Sequence, residues 1–595
     1  MGSNVPVPIS AAPAPDGSAT PAPVPVALAP QPDGSAVLCD LAADGARLAS
    51  AVRYQDLSSA VADRERSGRV RWVWPSAAWC YPDLLSAGVR VARCHDIALV
   101  EALLLGRDGR HGETATLAAA WARLRGERVP RQAAAASGAP QAAALRVAQQ
   151  ALFQPAETEW PEGDIVLDAL AAVYADQLVR MATGDAPARL RLLAAAESAG
   201  ALAAAEMSFD GLPWRPEVHD ELLAGLLGPR PARGERPSRL AGLAEQITAA
   251  FGGRPVNPDS PSQLVRAFAA DGVSVSSTRS EVLRGIDHPA APLLLQYKEL
   301  ARLHAAHGWA WLDSWVTAGR FHPEYVVGGV VSGRWATNGG GALQIPRVLR
   351  RAVVADPGWT LVVGDAAQLE PRVLAALAGD RAFAQAAAAG DLYSELAGAF
   401  GGDRGKAKVA LLSAMYGGAG GEAGQLLAVL RRRFPDAAGY VEAAARAGEE
   451  GRVVRSVLGR TCPPPSAAWR LATASATEPG AARSVRVRGR FTRNFVVQAS
   501  AADWALVLIA CLRPRLAALG APTGPSGPGR AHLVFFQHDE VIVHCREELA
   551  EPVVAAIGSA AREAGRLVFG STPVRFPVTT AVVSCYADAK ARGGP

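Results

Sequence analysis

The chain has 595 residues, which is more than one ordinary hydrophobic core holds, and with 49% hydrophobic and 20% charged residues it is not a wholly disordered protein. Its formal net charge of +5 permits nucleic-acid binding without requiring it. The 7 cysteines include no Cys-x-x-Cys pair, which argues against a zinc site or a disulfide framework and favours a cytoplasmic location.

The first 195 residues divide into two parts by composition. Residues 1–34 are rich in Pro, Ala, Gly and Ser, lack apolar periodicity and have no features of a signal peptide, so we predict a disordered tail. Residues 35–195 alternate short apolar runs, such as Val70 to Trp74, with Ala- and Leu-rich stretches. This alternation predicts a small α/β domain.

In the rest of the chain the predicted secondary structure changes near residue 325. Residues 196–325 are predicted to be mostly helical, and helices are predicted again from about 380 to 480. Between and after these helices, strands are predicted at Tyr325 to Val331, Thr360 to Gly364, Leu533 to Phe536 and Val541 to His544, with a loop at Pro522 to Gly529. The fold class is therefore α/β and multidomain, with a helical insertion inside a sheet region. The longest uncharged apolar run, Trp504 to Leu512, is too short to cross a bilayer, so no membrane association is expected.

Asp365 stands at the end of the predicted buried strand, and Gln368 and Glu370 follow it. A carboxylate on rigid backbone is a common ligand of Mg²⁺. Taken alone, however, Asp365 is better explained as the cap of a helix that begins near Gln368.

A polar trio, His538-Asp539-Glu540, separates two apolar runs and predicts a hairpin with acids at its tip. A tight turn would place Asp539 at the sheet edge, where it could share metal ions with a carboxylate of a neighbouring strand. An ordinary polar hairpin tip is the alternative.

Arg404, Lys408, Leu412 and Tyr416 recur every four residues and therefore lie along one stripe of a predicted helix. Two cations suit a triphosphate, and an apolar group with a phenol suits a base and sugar. The alternative is a solvated basic face on a surface helix.

A second stripe consists of Arg490, Asn494 and Gln498, which have the same four-residue spacing. Such a polar face could contact the minor groove or the sugar-phosphate backbone of a duplex. For these residues alone, a solvent-facing stripe is the better explanation.

Together these segments resemble the three motifs of the family A DNA polymerases, the relatives of bacterial DNA polymerase I. The family's first motif, Asp-Tyr-Ser-Gln-Ile-Glu-Leu-Arg, is similar to Asp365-Ala366-Ala367-Gln368-Leu369-Glu370-Pro371-Arg372. The second, Arg-x3-Lys-x3-Phe-x3-Tyr-Gly, is matched by Arg404, Lys408, Leu412, Tyr416 and Gly417, and the third by the turn at His538-Asp539-Glu540. Upstream, Ser332-Gly333-Arg334 and Leu343-Gln344-Ile345-Pro346 resemble two further family segments. The resemblance covers about residues 200–595 and rests on the order of the motifs.

The resemblance implies a right-hand polymerase fold preceded by a ribonuclease H-like domain of the 3′-5′ exonuclease type. The implied boundaries are 35–195 for the exonuclease-like domain, 196–325 for the thumb, 326–385 and 486–595 for the palm, and 386–485 for the fingers.

The resemblance also implies a role for each matched residue. Asp365 and Asp539 would bind two Mg²⁺ ions, and Lys408 and Glu540 would assist catalysis. Nucleotide binding would involve Arg404, Lys408, Leu412, Tyr416, Gln368, Glu370 and Tyr393, with Glu370 excluding a ribose 2′-hydroxyl. DNA would be held by Arg334, Arg490, Asn494, Gln498 and His538. The implied partners are primer–template DNA and dNTPs, the implied location is the cytoplasm with the nucleoid, and no protein partner is implied.

The sequence departs from the family pattern at the nucleotide pocket. Leu412 replaces an aromatic residue, Ala366 and Ala367 replace Tyr-Ser, and Tyr393 stands where the family commonly has a His. These departures leave the metal ligands intact, so we expect polymerase activity with altered nucleotide selection.

The exonuclease-like region lacks the family's carboxylates. Val37 to Asp40 is a candidate first strand without Asp-x-Glu, and Tyr174 has no later Asp at the expected spacing. We therefore expect an inactive, structural domain. The alternatives are a bifunctional 3′-5′ exonuclease and polymerase, a single-subunit RNA polymerase, against which Glu370 argues, and a DNA-binding scaffold with a decayed site, against which Asp365, Asp539 and Lys408 argue.

Overall fold

The computed structural model describes residues 23–31, 33–130, 164–232, 234–388, 392–398, 402–417, 428–474, 480–520 and 531–590. The predicted loop at 522–529 lies outside these residues, as do residues 1–22 of the predicted tail.

The N-terminal domain is built on a five-stranded sheet in the order β3-β2-β1-β4-β5. Strand β1 pairs antiparallel with β2 and parallel with β4, which in turn pairs parallel with β5. The strands are β1 (Val24–Pro30), β2 (Ala36–Asp40), β3 (Val52–Tyr54), β4 (Val70–Trp74) and β5 (Cys94–Asp96). The helices of this part are Leu57–Glu65, Ala77–Ser86, Ile97–Arg107, Leu117–Leu124, Asp164–Ala182 and Pro187–Asp210.

The predicted disordered tail over residues 1–34 is wrong at β1, which is the central strand of this sheet. Val26 and Leu28 belong to the core on one face of the sheet, and Ala27 and Ala29 belong to the core on the other. A strand buried on both faces has a continuous apolar run without alternation, and prolines at its two ends gave that run the composition of a linker. The α/β domain therefore begins near residue 24 and not at 35.

The chain forms two compact units. The first comprises described residues within 23–209, 325–336 and 362–582, and the second comprises residues within 210–324, 337–361 and 583–590. The predicted boundary at 195/196 is wrong, because it falls inside the helix Pro187–Asp210, whose buried residues continue past it.

The second unit is mostly helical, as the sequence predicted for residues 196–325. It has an aromatic core in which the rings of Trp214, Trp311 and Phe321 pack within 6 Å of one another. Its short strands β6 (Leu212–Pro213), β7 (Val316–Thr317) and β8 (Arg320–Phe321) pair in the order β6-β8-β7. Its helices are Pro216–Leu227, Ser238–Ala250, Pro261–Ala270, Ser280–Leu283, Ala290–His307 and Trp309–Trp315.

The C-terminal half contains a four-stranded sheet in the order β12-β13-β11-β14. A small two-stranded sheet precedes it, and the predicted strand at Tyr325 to Val331 is shorter than expected, because a turn follows it with φ +63° at Gly328. The strands are β9 (Tyr325–Val326), β10 (Ala336–Thr337), β11 (Trp359–Ala366), β12 (Ala531–Gln537), β13 (Glu540–Arg546) and β14 (Val578–Val583). The helices are Leu369–Ala378, Arg381–Ala388, Leu392–Ala397, Arg404–Met415, Pro435–Glu449, Ala467–Thr473, Ala481–Ala518 and Ala550–Phe569.

The long helix Ala481–Ala518 is apolar and long enough to cross a membrane, but 83% of its most apolar window is buried inside the fold. Its apolar surface is therefore used in packing. The buried Asp503 directly precedes the uncharged apolar run Trp504 to Leu512. The predicted boundary between fingers and palm at 485/486 also falls inside this helix.

Candidate active site

The two predicted metal-binding carboxylates lie on adjacent strands. Asp365 is near the end of β11, and Asp539 is in the tight turn between β12 and β13, where His538 has a φ of +57°. Because β13 is the neighbour of β11, the two segments meet, and the Ala366 amide donates a 2.9 Å hydrogen bond to the Asp539 carbonyl. The structure therefore brings together residues that are far apart in the chain.

Ionisation of both carboxylates of this pair is energetically unfavourable when no cation lies between them. Burial, and after it the charge of Asp365, raise the pKa of Asp539 to about 7. A cation between the two carboxylates would remove this repulsion, and Mg²⁺ is typically held by one or two carboxylates together with substrate phosphates and water. Groups of three or more His, Cys, Asp or Glu residues arranged to hold a metal are absent from the described residues.

The capping alternative for Asp365 is wrong. The helix begins at Leu369, and its N-cap is Gln368, which has a φ of +55°. The Gln368 side-chain oxygen accepts a 3.0 Å hydrogen bond from the Leu392 amide. Gln368 therefore joins the end of β11 to the segment that carries Tyr393.

Glu370 lies in the first turn of that helix and forms an ion pair with Arg334. Burial raises the pKa of Glu370, and the charge of Arg334 opposes the rise. Partial burial, and after it the Arg334 charge, lower the pKa of His538. Glu540, the first residue of β13, is buried. Arg334, Glu370 and the hairpin turn thus form one charged cluster.

The predicted helix that carries the two cations is Arg404–Met415, called here the cationic helix. Its buried side consists of Ala407, Leu411 and Met415, whereas Arg404 and Lys408 are exposed and Leu412 and Tyr416 are half-buried. The Arg404 guanidinium and the Lys408 ammonium lie 5.6 and 5.9 Å from the centre of the buried Tyr393 ring. The Tyr393 ring is therefore close enough to both cations for cation–π interactions.

The predicted polar stripe of Arg490, Asn494 and Gln498 lies on the long helix Ala481–Ala518 and is partly exposed. Arg490 is exposed and Asn494 and Gln498 are half-buried, although most of their helical neighbours are buried. One residue that sequence reasoning missed is Arg493, whose Nε donates a 2.8 Å hydrogen bond to the Met415 carbonyl. An arginine that binds the last carbonyls of a helix stabilises its C-terminus, so Arg493 fixes the cationic helix to the long helix.

Arg372, the last residue of the first motif, has a structural role that spacing could not reveal. It is buried and donates to the carbonyls of Ala367, Ala387 and Arg575 at 2.9, 2.6 and 3.2 Å. These three bonds hold the turn after β11 in place.

Several acidic residues of the N-terminal domain are paired with arginines. Asp40 pairs with Arg64 at the end of β2, and the buried Glu101 pairs with Arg123 and Arg180 at 3.2 and 3.0 Å. The central strand β1 carries no carboxylate. The absence of exonuclease activity in this domain stays a prediction. The ion pairs favour it, because a carboxylate engaged by an arginine is less available to bind a metal ion.

Residues 232–582, more than half of the chain, match the sequence model of DNA polymerase family A. The chain is 30% identical to the thermostable DNA polymerase I of Thermus filiformis over 313 residues, which cover 47% of this chain and 34% of that protein. It is 27% identical to the DNA polymerase I of Chloroflexus aurantiacus over 359 residues, which cover 53% and 36%. The chain thus spans about a third of the length of these relatives.

The fold matches a solved structure described as the POL domain of Pol1 from M. smegmatis in complex with DNA primer-template and dNTP. The TM-score is 0.67, the sequence identity is 20%, and the match covers 96% of each chain. The predicted fold class is confirmed by this match.

Proposed function

Because the chain belongs to DNA polymerase family A, we propose that it is a DNA-directed DNA polymerase that adds dNTPs to the 3′ end of a primer. The observation that supports this most directly is the meeting of Asp365 and Asp539 on adjacent strands, with the Ala366 amide bonded to the Asp539 carbonyl. The primer 3′-hydroxyl would attack the α-phosphorus of the dNTP, and pyrophosphate would leave.

Family A polymerases generally depend on a divalent metal, and we propose two Mg²⁺ ions here. Asp365 and Asp539 would hold them, which fits the raised pKa of Asp539 beside a second carboxylate. When bound, the ions supply positive charge that lowers the pKa of the primer hydroxyl and offsets the charge of the triphosphate.

The exposed cations of the cationic helix would bind the incoming triphosphate. Arg404 and Lys408 are oriented by the Tyr393 ring and would contact the β- and γ-phosphates. Lys408 would also donate a proton to the leaving pyrophosphate. Leu412 and Tyr416 would face the base and sugar, and Gln368 would keep the Tyr393 segment in position.

Discrimination against ribonucleotides would depend on Glu370. A half-buried carboxylate beside the sugar would exclude a 2′-hydroxyl by its bulk, and its ion pair with Arg334 would fix its position. This role favours a DNA polymerase over the single-subunit RNA polymerase alternative.

Primer–template DNA would lie along two polar surfaces. Arg490, Asn494 and Gln498 would contact the duplex from the long helix. Arg334, His538 and Glu540 would lie at the primer end, beside Asp539. We place this activity in the cytoplasm with the nucleoid, and we assign no protein partner.

Primer extension tests the proposal. Asp365→Ala and Asp539→Ala should each reduce the rate by at least about 10³-fold, because each removes half of a metal-binding pair. The matched control is Asp63→Ala, which removes an exposed carboxylate that pairs with Arg66 on the surface of the N-terminal domain. Near wild-type extension by either site variant, with the control also active, would refute the site.

The N-terminal domain is proposed to be structural. Purified protein should not degrade a single-stranded oligonucleotide with Mg²⁺ or Mn²⁺ present, because Asp40 and Glu101 are engaged by arginines and the central strand β1 carries no carboxylate. Metal-dependent shortening from the 3′ end would favour the bifunctional alternative.

A further inference from the structure

The turn that carries Arg334 is fixed on both sides of that residue. On one side, the Gly333 amide donates a 2.7 Å hydrogen bond to the Val330 carbonyl, and Gly333 has a φ of +84°. On the other side, the buried Trp335 packs its ring 5.2 Å from Tyr325 and 4.8 Å from Phe536. The backbone of Arg334 therefore has little freedom, and its side chain reaches Glu370.

A second arginine, which is buried, lies under this turn. Arg460 forms an ion pair with Glu197, and its Nε lies 3.4 Å from a carboxylate oxygen of Asp503. Its amide donates a 2.9 Å hydrogen bond to the Ser456 hydroxyl, and its carbonyl accepts a 2.8 Å bond from the Ser456 amide. All three charged side chains are buried, so the guanidinium is held in one position, because leaving any of them unpaired inside the protein is costly.

The Gly333 main chain rests directly on the Arg460 guanidinium. A Cβ added at Gly333 would overlap Nε, Cζ and one terminal nitrogen of Arg460. Only glycine allows this approach, and the positive φ favours glycine for a separate reason. The position of the turn is therefore set by the position of Arg460.

We propose that Arg460 is a positioning residue for nucleotide selection, and that it acts through the Gly333–Arg334 turn on Glu370. The proposal rests on the proposed polymerase function and on the role of Glu370 in it. Arg460 itself does not touch the nucleotide. It fixes Gly333, Gly333 places Arg334, and the Arg334 ion pair holds the carboxylate that excludes the 2′-hydroxyl.

Two variants test this connection. Gly333→Ala keeps every charge but displaces the turn, and Arg460→Lys keeps the charge but loses the planar group on which the turn rests. We expect both to lower the ratio of kcat/KM for a dNTP to that for the matching ribonucleotide by roughly tenfold, mainly through a higher kcat/KM for the ribonucleotide. Single-nucleotide primer extension measures the ratio, and thermal unfolding reports whether each variant is folded.

A third comparison separates positioning from general destabilisation. In an Arg334→Ala background, Gly333→Ala should produce no further change in the ratio, because the connection is already broken. The control is Gly379→Ala, which imposes a similar positive φ of +65° but has no neighbour within 4 Å, and which should leave the ratio unchanged. If Arg460→Lys unfolds, Gly333→Ala decides the question, since it leaves the Glu197, Arg460 and Asp503 charges intact.

Failure of the inference differs from failure of the proposed function. A wild-type protein that does not extend a primer overturns the function. A wild-type protein that extends a primer, together with a folded Gly333→Ala protein of unchanged ratio, overturns the role of Arg460 alone. The role of Arg460 is also overturned if Gly333→Ala changes the ratio by the same factor in the Arg334→Ala background as in the wild type.

Discussion

The amide of Ala366 donates a 2.9 Å hydrogen bond to the carbonyl of Asp539, and this bond joins two strands that each carry a carboxylate to the same edge of a sheet. The bond fixes the distance between the two backbones and so limits how far the side chains of Asp365 and Asp539 can separate to relieve their repulsion. Electrostatic strain is therefore built into the site when no cation neutralises it.

The first prediction concerns the stability of the metal-free protein. The pKa of Asp539 is raised to about 7, above its value in an unfolded chain, so its charge opposes folding increasingly as pH rises from about 4 to 7 and fully above that. Asp539→Asn should therefore raise the Tm in EDTA at pH 8 by roughly 1–3 °C. The difference should shrink toward zero near pH 4, and Mg²⁺ should stabilise the wild type more than the variant.

Thermal unfolding in EDTA at several pH values measures this effect. Asp63→Asn, an exposed and ion-paired position in the N-terminal domain, is the matched control and should show no such gain. A lower Tm for Asp539→Asn at pH 8 would mean that Asp539 is stabilised by its surroundings and not opposed by Asp365.

The second prediction concerns Tyr393, whose ring lies under Arg404 and Lys408. Tyr393→Leu removes the aromatic face, so the two cations lose their support, and the KM for dNTPs should rise about two- to fivefold, the size of one or two exposed cation–π contacts. Tyr393→Phe keeps the face and should resemble wild type. If Tyr393→Phe were as impaired as Tyr393→Leu, the hydroxyl and not the ring would be the important group.

The third prediction concerns Glu370. Glu370→Ala should raise kcat/KM for ribonucleotides, relative to dNTPs, by at least about tenfold, because the pocket gains space beside the 2′ position. Glu395→Ala is a suitable control, since Glu395 is an exposed acid on a nearby helix, 3.7 Å from Arg433. Single-nucleotide extension with both nucleotide types measures the change. An unchanged ratio would assign sugar selection to another residue and would reopen the RNA polymerase alternative.

The parts of this site that were predictable from sequence depend on short-range patterns. The four-residue spacing of Arg404 and Lys408 defines a helix face by itself, and two apolar runs around His538-Asp539 define a hairpin. Both predictions are confirmed by the helix Arg404–Met415 and by the pairing of Gln537 with Glu540.

The parts that were not predictable depend on contacts between distant residues. Arg460 and Glu197 are 263 positions apart, and neither lies in a recognisable motif, so only the fold reveals their ion pair. Strand β1 was missed for a different reason, because burial on both faces removes the alternation that identifies a strand. Asp365 looked like a helix cap until the structure placed Gln368 at that position.

The last prediction concerns two histidines in the second unit. His219 accepts a 3.2 Å hydrogen bond from Trp214 on Nδ1 and lies 2.9 Å from the His307 carbonyl through Nε2, so both ring nitrogens are used by the neutral form. Burial lowers the pKa of His219, and it lowers that of His307 to about 4. Both pKa values lie below those of an unfolded chain, so the stability of this unit is complete above about pH 6.5 and falls as pH drops toward 4.

Hydrogen exchange of peptides within 210–324, corrected for intrinsic rates, should therefore show faster opening at pH 5 than at pH 7.5. His307→Leu removes one of the two titrating groups and keeps an apolar side chain beside Trp311, which lies 5.3 Å from the His307 ring. The variant should lose about half of the pH dependence, because one buried imidazole remains. Equal protection at the two pH values in the wild type would show that neither histidine takes up a proton when this unit opens in this pH range.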